Sequence, residues 1–150
     1  MPYYVLAALI FGPYEQAVPA VSSADVRVAV VGITQARGTL YTYLCTEREF
    51  NTPLCSRQKV SVIRDAMTPR TVIFREVPAG RYAIKVVHDV NDDRIIQTNA
   101  YGAPVEPVGA TNNVRPLNRA PTFEESAFSS TGDCLELKVQ LRTYGSNSAN

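Results

Sequence analysis

The sequence predicts an all-β protein, an antiparallel β-sandwich of about seven strands. Three observations predict it: apolar residues recur at every second position in several short segments, Gly, Pro and Asn separate those segments, and no long segment has helical periodicity. The chain has 150 residues, of which 45% are apolar and 19% are charged, proportions typical of a packed globular domain. We therefore expect one folded domain.

The strands follow one another at short intervals from residue 26 onward. The last segment is the clearest, because its leucine and valine side chains alternate with charged and amide side chains, as in a strand with one buried face. Turn-forming residues lie between the segments, as a sandwich of hairpins requires. The predicted strands are residues 26–30, 40–44, 60–62, 72–74, 82–88 and 135–141.

Two segments lack a strand pattern. Residues 46–57 have room for one helical turn, while residues 99–121 are rich in Pro, Asn and Gly with little periodicity. A loop as long as the second is uncommon in a compact domain and is usually functional or mobile. The small polar residues 145–150 are expected to form a flexible tail.

The N-terminal segment predicts a targeting signal. Residues 3–11 are continuously apolar, but they supply only about half of the roughly 20 residues that cross a bilayer, so no transmembrane span is expected. Small side chains precede both Val21 and Asp25 and suit signal peptidase, so the mature chain would begin at one of these residues. We take residues 1–24 as the signal and residues 25–144 as the sandwich of a periplasmic or secreted protein. The alternative is an apolar N-terminal strand or core helix.

The charge and the cysteine count exclude several partners. Lys and Arg number 15 against 14 Asp and Glu, a net charge of +1, which is too small to attract nucleic acid or an anionic membrane surface. The three cysteines and one histidine lack the close cysteine pair of a structural zinc site. The expected partner is therefore a protein or a small molecule of unknown identity.

Several short motifs occur in order along the second half of the chain. They are a Pro-Ala-Gly-Arg-Tyr turn, a His-Asp pair that opens a loop rich in Asn and Asp, and a Pro-x-Phe segment that leads to an Ala-Phe pair. In order and spacing they resemble the DUF2141 family of uncharacterised exported bacterial proteins. The resemblance covers about residues 26–144 and implies an exported sandwich similar to immunoglobulin-like, transthyretin-like or carboxypeptidase-regulatory domains. The matching positions are residues 77–82, 88–89, 102–104, 109, 112–113, 121–123 and 127–128.

The loop after the His-Asp pair has the spacing of a calcium loop. Asp89, Asn91 and Asp93 place oxygen atoms at its first, third and fifth positions, from which side chains can converge on a hard cation. However, Arg94 stands at the sixth position, where such loops use glycine, and Gln97 stands at the ninth, where many relatives have an acid. The departures favour the alternative, in which the three side chains form Asx-turn hydrogen bonds. No other cofactor is indicated.

His88 is the one histidine of the chain and a candidate general base. Adjacent residues of a strand point to opposite faces, so in a hydrolase Asp93 or Glu106, rather than Asp89, would orient its ring. No recognisable nucleophile motif accompanies it. The alternative is a buried histidine in phase with the apolar residues of its strand, with its ring bonded to a loop backbone.

Four residues around the long loop are candidate ligand contacts, namely His88, Tyr101, Asn112 and Phe123. Aromatic rings beside a loop can line a groove for a small molecule. The alternative is that the rings tether the loop to the sandwich.

Cys45 and Cys55 are predicted to form a disulfide. They are ten positions apart, so local folding can bring them together, whereas either bond to Cys134 would require distant strands to be neighbours. Such a bond would persist in an oxidising compartment. Cys134 would then be a free thiol in the outward phase of the last strand.

These observations predict an exported, non-catalytic β-sandwich that binds a partner or ligand at the bacterial cell envelope. The competing prediction is a small periplasmic hydrolase with His88 as its general base.

Overall fold

The computed structural model describes residues 22–65, 69–116 and 119–144. Within these ranges the chain forms eight strands, two helices of four residues and a 3₁₀ turn at Thr111–Asn113. The all-β prediction is confirmed, with one strand more than the estimate. The strands are β1 (Ser23–Val31), β2 (Thr39–Cys45), β3 (Arg57–Val62), β4 (Arg70–Pro78), β5 (Gly80–Asp89), β6 (Val108–Ala110), β7 (Phe128–Ser130) and β8 (Leu135–Gln140), and the helices are α1 (Glu47–Phe50) and α2 (Phe123–Ser126).

The strands form two sheets, as a sandwich requires. The smaller sheet has the order β4-β1-β8, and the larger has the order β3-β2-β5-β6, with β7 paired to β5. All these pairs are antiparallel except β1 and β8, which are parallel. A hairpin cannot join parallel neighbours, and β8 reaches β1 only after the chain has passed through the larger sheet. The prediction of antiparallel pairing is therefore wrong for this one pair.

The main core lies between the inner faces of the sheets. Alternate side chains of β1 and β5 enter it, as the period of two predicts. His88 is on the inner face of β5, beside Ile84 and Val86 in phase. The buried apolar residues of this core are Val26, Val28, Val30, Ile33, Leu40, Leu44, Ile63, Val72, Phe74, Val77, Ile84, Val86, Val139 and Leu141.

A second cluster covers one end of the outer face of the larger sheet. The disulfide between Cys45 and Cys55 forms as predicted, with a Cα–Cα distance of 5.1 Å. The ring of Phe50 from α1 meets that of Phe123 from α2 edge to face, with centroids 5.9 Å apart, above Ala83 of β5. Two short helices thus bury this end of the sheet. Cys134 is exposed and has no disulfide partner, also as predicted.

Three observations complete the description of the chain outside the strands. None of the helices in the described ranges is long and apolar enough to cross a membrane. The long segment from residue 99 to 121 contains β6 and the 3₁₀ turn, which are too short to produce a readable alternation. The predicted tail and most of the predicted signal lie outside the described residues, although Ser22 to Ala24 lie within them.

Candidate ligand-binding groove

An open groove of about 590 Å³ lies on the outer face of the larger sheet, next to the covered end. Its floor comes from the strands, and its two walls come from the connection before β3 and the loop after β5. A smaller hollow of about 190 Å³ lies on the outer face of the other sheet. The groove is lined by Tyr41, Tyr43, Pro53, Leu54, Gln58, Val60, Val87, Asp89, Arg94, Ile95, Ile96 and Glu106.

The floor of the groove follows from the strand register. Tyr41 of β2 pairs with Val60 of β3 on one side and with Val87 of β5 on the other, so the three side chains form a row on one face. The ring of Tyr43 stacks against that of Tyr41, with centroids 6.4 Å apart. Burial, the main cause, raises the pKa of Tyr43, so the phenol stays neutral at ordinary pH.

Several large apolar side chains that line the groove remain exposed. Leu54, Val60, Ile95 and Ile96 all line it, and their exposed fractions run from 52% for Ile96 to 65% for Leu54. Leu54 lies inside the disulfide loop, while Ile95 and Ile96 lie in the loop after β5. Both walls are therefore apolar and accessible.

Two buried carboxyl groups lie at one end of the groove. Asp89 is 2% exposed and Glu106 is 8% exposed. Asp89 Oδ2 accepts a hydrogen bond from Arg94 N at 2.9 Å, and Glu106 Oε1 accepts one from Val90 N at 3.0 Å. The other two oxygens, Asp89 Oδ1 and Glu106 Oε2, have no hydrogen-bond donor among the described residues while both carboxyl groups are ionised. When one group is protonated, the two side chains bond to each other. We name this pair of residues the acid end.

The environment of Glu106 favours its neutral form. Burial is the largest cause that raises its pKa above the ordinary value, against the hydrogen bond from Val90 N. The negative charges of Asp89 and Asp93 and a side-chain hydrogen bond with Asp89 raise it further. The pair therefore holds a proton more firmly than a solvated glutamate would.

The loop after β5 contains the predicted calcium ligands Asp89, Asn91 and Asp93. Asp93 Oδ1 accepts a hydrogen bond from Ile95 N at 2.8 Å, and its Oδ2 accepts one from Asn91 Nδ2 at 2.8 Å. The bond from Ile95 N is of the Asx-turn type, as is the bond that Asp93 N donates to Asn91 Oδ1 at 3.3 Å. The bond from Ile95 N is the main cause that lowers the pKa of Asp93. Across the described ranges, no group of three or more His, Cys, Asp or Glu side chains is arranged to hold a metal ion.

Arg94 adopts the backbone conformation of the glycine that it replaces in this loop. Its φ is 62°, in the left-handed region that favours glycine. The unusual residue at the sixth position has therefore kept the sharp turn. Its conformation lets Arg94 N bond to Asp89 and brings Ile95 and Ile96 to the wall of the groove.

His88 is fully buried in the main core. Its Nε2 lies 2.8 Å from the carbonyl oxygen of Arg37, in the loop between β1 and β2, and its Nδ1 has no hydrogen-bond partner among the described residues. Its backbone N donates to Pro107 O at 2.9 Å. The ring is thus bonded to a loop backbone, as in the buried alternative, while the backbone of His88 holds the long segment near Pro107.

A family model described as an uncharacterised protein conserved in bacteria, DUF2141, matches residues 28–137. The chain belongs to the DUF2141 family. The resemblance carried by the ordered motifs is thereby confirmed. Comparisons with curated proteins and with solved structures give no significant match.

The predicted ligand contacts of this DUF2141 protein do not converge on the groove. Tyr101 is 95% exposed at the tip of the long segment. The side-chain amide of Asn112 donates to Glu125 O at 2.9 Å and to Ala127 O at 3.1 Å. Phe123 packs in the covered cluster, and His88 is in the core. None of the four is among the residues that line the groove.

Little in the sequence indicates which residues line the groove. Val60 alternates with polar residues, as a core-facing strand residue would, yet it points outward because it pairs with Tyr41. The one indication in the sequence is that two tyrosines occupy alternate positions of β2, on its outer face, and that apolar residues occupy alternate positions of β3. Glu106 gave no signal as a neighbour of Asp89, because only the folded segment between them brings the two together.

Proposed function

We propose that this DUF2141 protein is an exported, non-catalytic β-sandwich module that binds a small ligand with an apolar body in the groove. The observation that carries the proposal is the open apolar groove on an otherwise ordinary sheet surface. Its volume of about 590 Å³ is in the range of small-molecule sites, which are mostly apolar with a few convergent polar groups. The groove has that composition, with the acid end as its polar part.

Both walls of the groove are held in place without a ligand. The disulfide between Cys45 and Cys55 closes the segment that carries Pro53 and Leu54. The hydrogen bonds of Asp93 fix the segment that carries Ile95. A site that is formed before binding avoids the entropy cost of ordering its walls, which supports a binding role.

The disulfide also supports export, because such bonds persist in oxidising compartments and are rare in the cytosol. The structure favours one of the two predicted processing sites. Ser23 pairs with Pro78, Ala24 pairs with Val77, and Ser22 O accepts a hydrogen bond from Ala79 N at 2.9 Å. Cleavage before Asp25 would remove these interactions, so N-terminal sequencing of exported protein is expected to begin at Val21.

The position of His88 supports the non-catalytic part of the proposal. A general base must reach its substrate directly or through one water molecule, whereas this ring is sealed in the core and bonded to Arg37 O. The hydrolase hypothesis would need His88 to move out of the core. No observation on the groove favours that hypothesis.

A neutral apolar probe tests the groove itself. We expect 4-phenylbutan-1-ol to shift the NMR signals of Tyr41, Val60 and Ile95 in a saturable titration. Val60→Asp should abolish binding because it places a charge on the apolar floor. Val62→Asp is the matched control, since Val62 is equally exposed on the same strand but does not line the groove. Equal binding by the two variants, or shifts confined to another surface, would contradict the proposal.

A further inference from the structure

We propose that the ligand of the groove is a small organic cation, a primary ammonium group on an apolar body, with the ammonium group at the acid end. This inference rests on the proposed function and names the chemical class of ligand for the same groove. The juxtaposition that carries it is a floor of apolar and aromatic side chains ending at Asp89 and Glu106.

The unsatisfied oxygens at the acid end point to a missing donor. A buried acceptor without a hydrogen bond is costly, and native structures leave few of them. Asp89 Oδ1 and Glu106 Oε2 are two such atoms in one place, on side chains that are more than nine-tenths buried and that line the groove. An ammonium group carries three donors and no acceptor. It would take the place of the proton that the two carboxyl groups otherwise share, and it would approach from Glu106, the more exposed of the two.

The charge around this end of the groove is complementary to a cation. Asp89, Asp93 and Glu106 lie close enough for the charges of the two aspartates to act on Glu106. Arg94 is the one basic residue that lines the groove. With two acidic residues against one basic residue in the lining, and with Asp93 near enough to act on Glu106, the local field favours a positive head group. Tyr41 is opposite Val87 and therefore diagonal to Asp89 on the same face, and its ring is also attractive to a cation.

Two other arrangements would satisfy the same atoms and are separated by experiment. The two carboxyl groups could share a proton, in which case no cation is needed. Alternatively, Arg94 could bind a carboxylate, in which case the ligand would be an anion. An anionic ligand bound by Arg94 and the proposed cationic ligand would share the same apolar body. The experiment therefore varies only the head group of the probe.

The test compares three probes with one apolar body: 4-phenylbutylammonium, 4-phenylbutan-1-ol and 5-phenylpentanoate. Each is titrated into the full chain by NMR. We expect the ammonium probe to bind about ten-fold more tightly than the alcohol, the factor that a hydrogen bond to a charged group provides. We expect the carboxylate to bind more weakly than the alcohol.

The variants Glu106→Gln and Asp89→Asn assign the preference to the acid end. Each amide can donate to the remaining carboxylate and keeps the shape of the side chain, so either one suffices if the other fails to fold. Each should abolish the preference for the ammonium probe over the alcohol. Glu136→Gln removes a carboxylate from the opposite sheet and should leave the preference intact.

Four outcomes would overturn the inference. They are equal affinity for ammonium and alcohol, tightest binding of the carboxylate, an ammonium preference that survives both acid-end variants, and self-association of the chain through the groove in sedimentation experiments that Val60→Asp abolishes. The first three outcomes concern only the head group, so the proposed binding of an apolar ligand in the groove still holds if the alcohol binds. Failure of the alcohol itself to bind would instead remove the proposed function.

Discussion

The two ends of the outer face of the larger sheet differ in how completely their charged side chains are hydrogen-bonded. At the covered end, Lys85 Nζ donates to Phe50 O at 2.8 Å and to Thr52 O at 2.9 Å, and it lies 5.5 Å from the centroid of the Phe50 ring. At the acid end, Asp89 and Glu106 each keep one buried oxygen without a donor. The same two strands, β2 and β5, carry both ends.

At the covered end the charged group is bonded to carbonyl groups of the chain, whereas at the acid end the charged groups are bonded only in part. Two carbonyl groups, Phe50 O at the end of α1 and Thr52 O just beyond it, accept hydrogen bonds from the half-buried ammonium group of Lys85. For Asp89 and Glu106, the described residues supply a donor to only one of the two oxygens of each carboxyl group. Burial lowers the pKa of Lys85, and the charge of Glu49 raises it in part, so the closed arrangement still has to offset a desolvation cost. At the acid end, the desolvation cost of the two carboxyl groups is left for the ligand proposed above to offset.

Removal of the disulfide is expected to have the largest effect. The double variant Cys45→Ala, Cys55→Ala should lower the free energy of unfolding by about 3 kcal/mol, because the unfolded chain loses its cross-link, and it should weaken alcohol binding because Leu54 is no longer held. Urea denaturation measures the first effect. Cys134→Ser is the control and should change neither quantity. Three free thiols in the denatured, unreduced wild type, instead of one at Cys134, would contradict the prediction.

Lys85→Met should have the next largest effect. Removing the ammonium group leaves the carbonyl groups of Phe50 and Thr52 without their donor, at a cost of about 1–2 kcal/mol. The exposed Lys138 on β8 provides a matched control, since Lys138→Met removes the same charge without breaking such bonds. Equal stability of the two variants in urea would show that the covered end does not depend on its buried cation.

Glu106→Gln should have a smaller effect, visible as a change in pH dependence. The folded-state pKa of Glu106 is raised above its ordinary value of 4.5, so the folded protein binds this proton more tightly than the unfolded chain does. Its contribution to stability is therefore fully present below pH 4.5 and is lost as pH rises through the raised pKa. Thermal melts across this range should show that loss in the wild type and not in Glu106→Gln. Parallel profiles would contradict the raised pKa.

Calcium is expected to have no effect on stability. Asp89, Asn91 and Asp93 already accept or donate hydrogen bonds within their loop, and a cation that bound only the folded state would raise Tm in proportion to its occupancy. Melting curves in excess calcium and in chelator should coincide. A rise in Tm with calcium that disappears in Asp89→Ala would show that the loop rearranges to bind the ion.

The sequence predicted the features that depend on residues close together in the chain. Alternation identified most strands, and the short separation of Cys45 and Cys55 identified the disulfide. It was less informative about which phase of a strand faces solvent, because a period of two groups the side chains without saying which group is buried. Val60 therefore gave the pattern of a core residue and became part of the groove floor.

The acid end could not be predicted for a different reason. Asp89 and Glu106 are separated by the loop after β5 and by the start of the long segment, whose positive φ values at Asp92 and Arg94 are unusual for these residue types. Their meeting depends on that irregular backbone and on the hydrogen bond from His88 N to Pro107 O. Such contacts are set by the whole fold rather than by any short pattern.

The parallel pairing of β1 with β8 has a consequence for the order of events during synthesis. β1 is the middle strand of the smaller sheet and the first strand among the described residues, and its neighbour β8 ends at Gln140. Contacts between residues so distant in sequence form slowly and late. The smaller sheet therefore stays incomplete until the last strand has left the ribosome. Under the export proposed above, this delay would keep the nascent chain loose enough to be threaded through a narrow channel, and would postpone folding until both of its ends are on the far side.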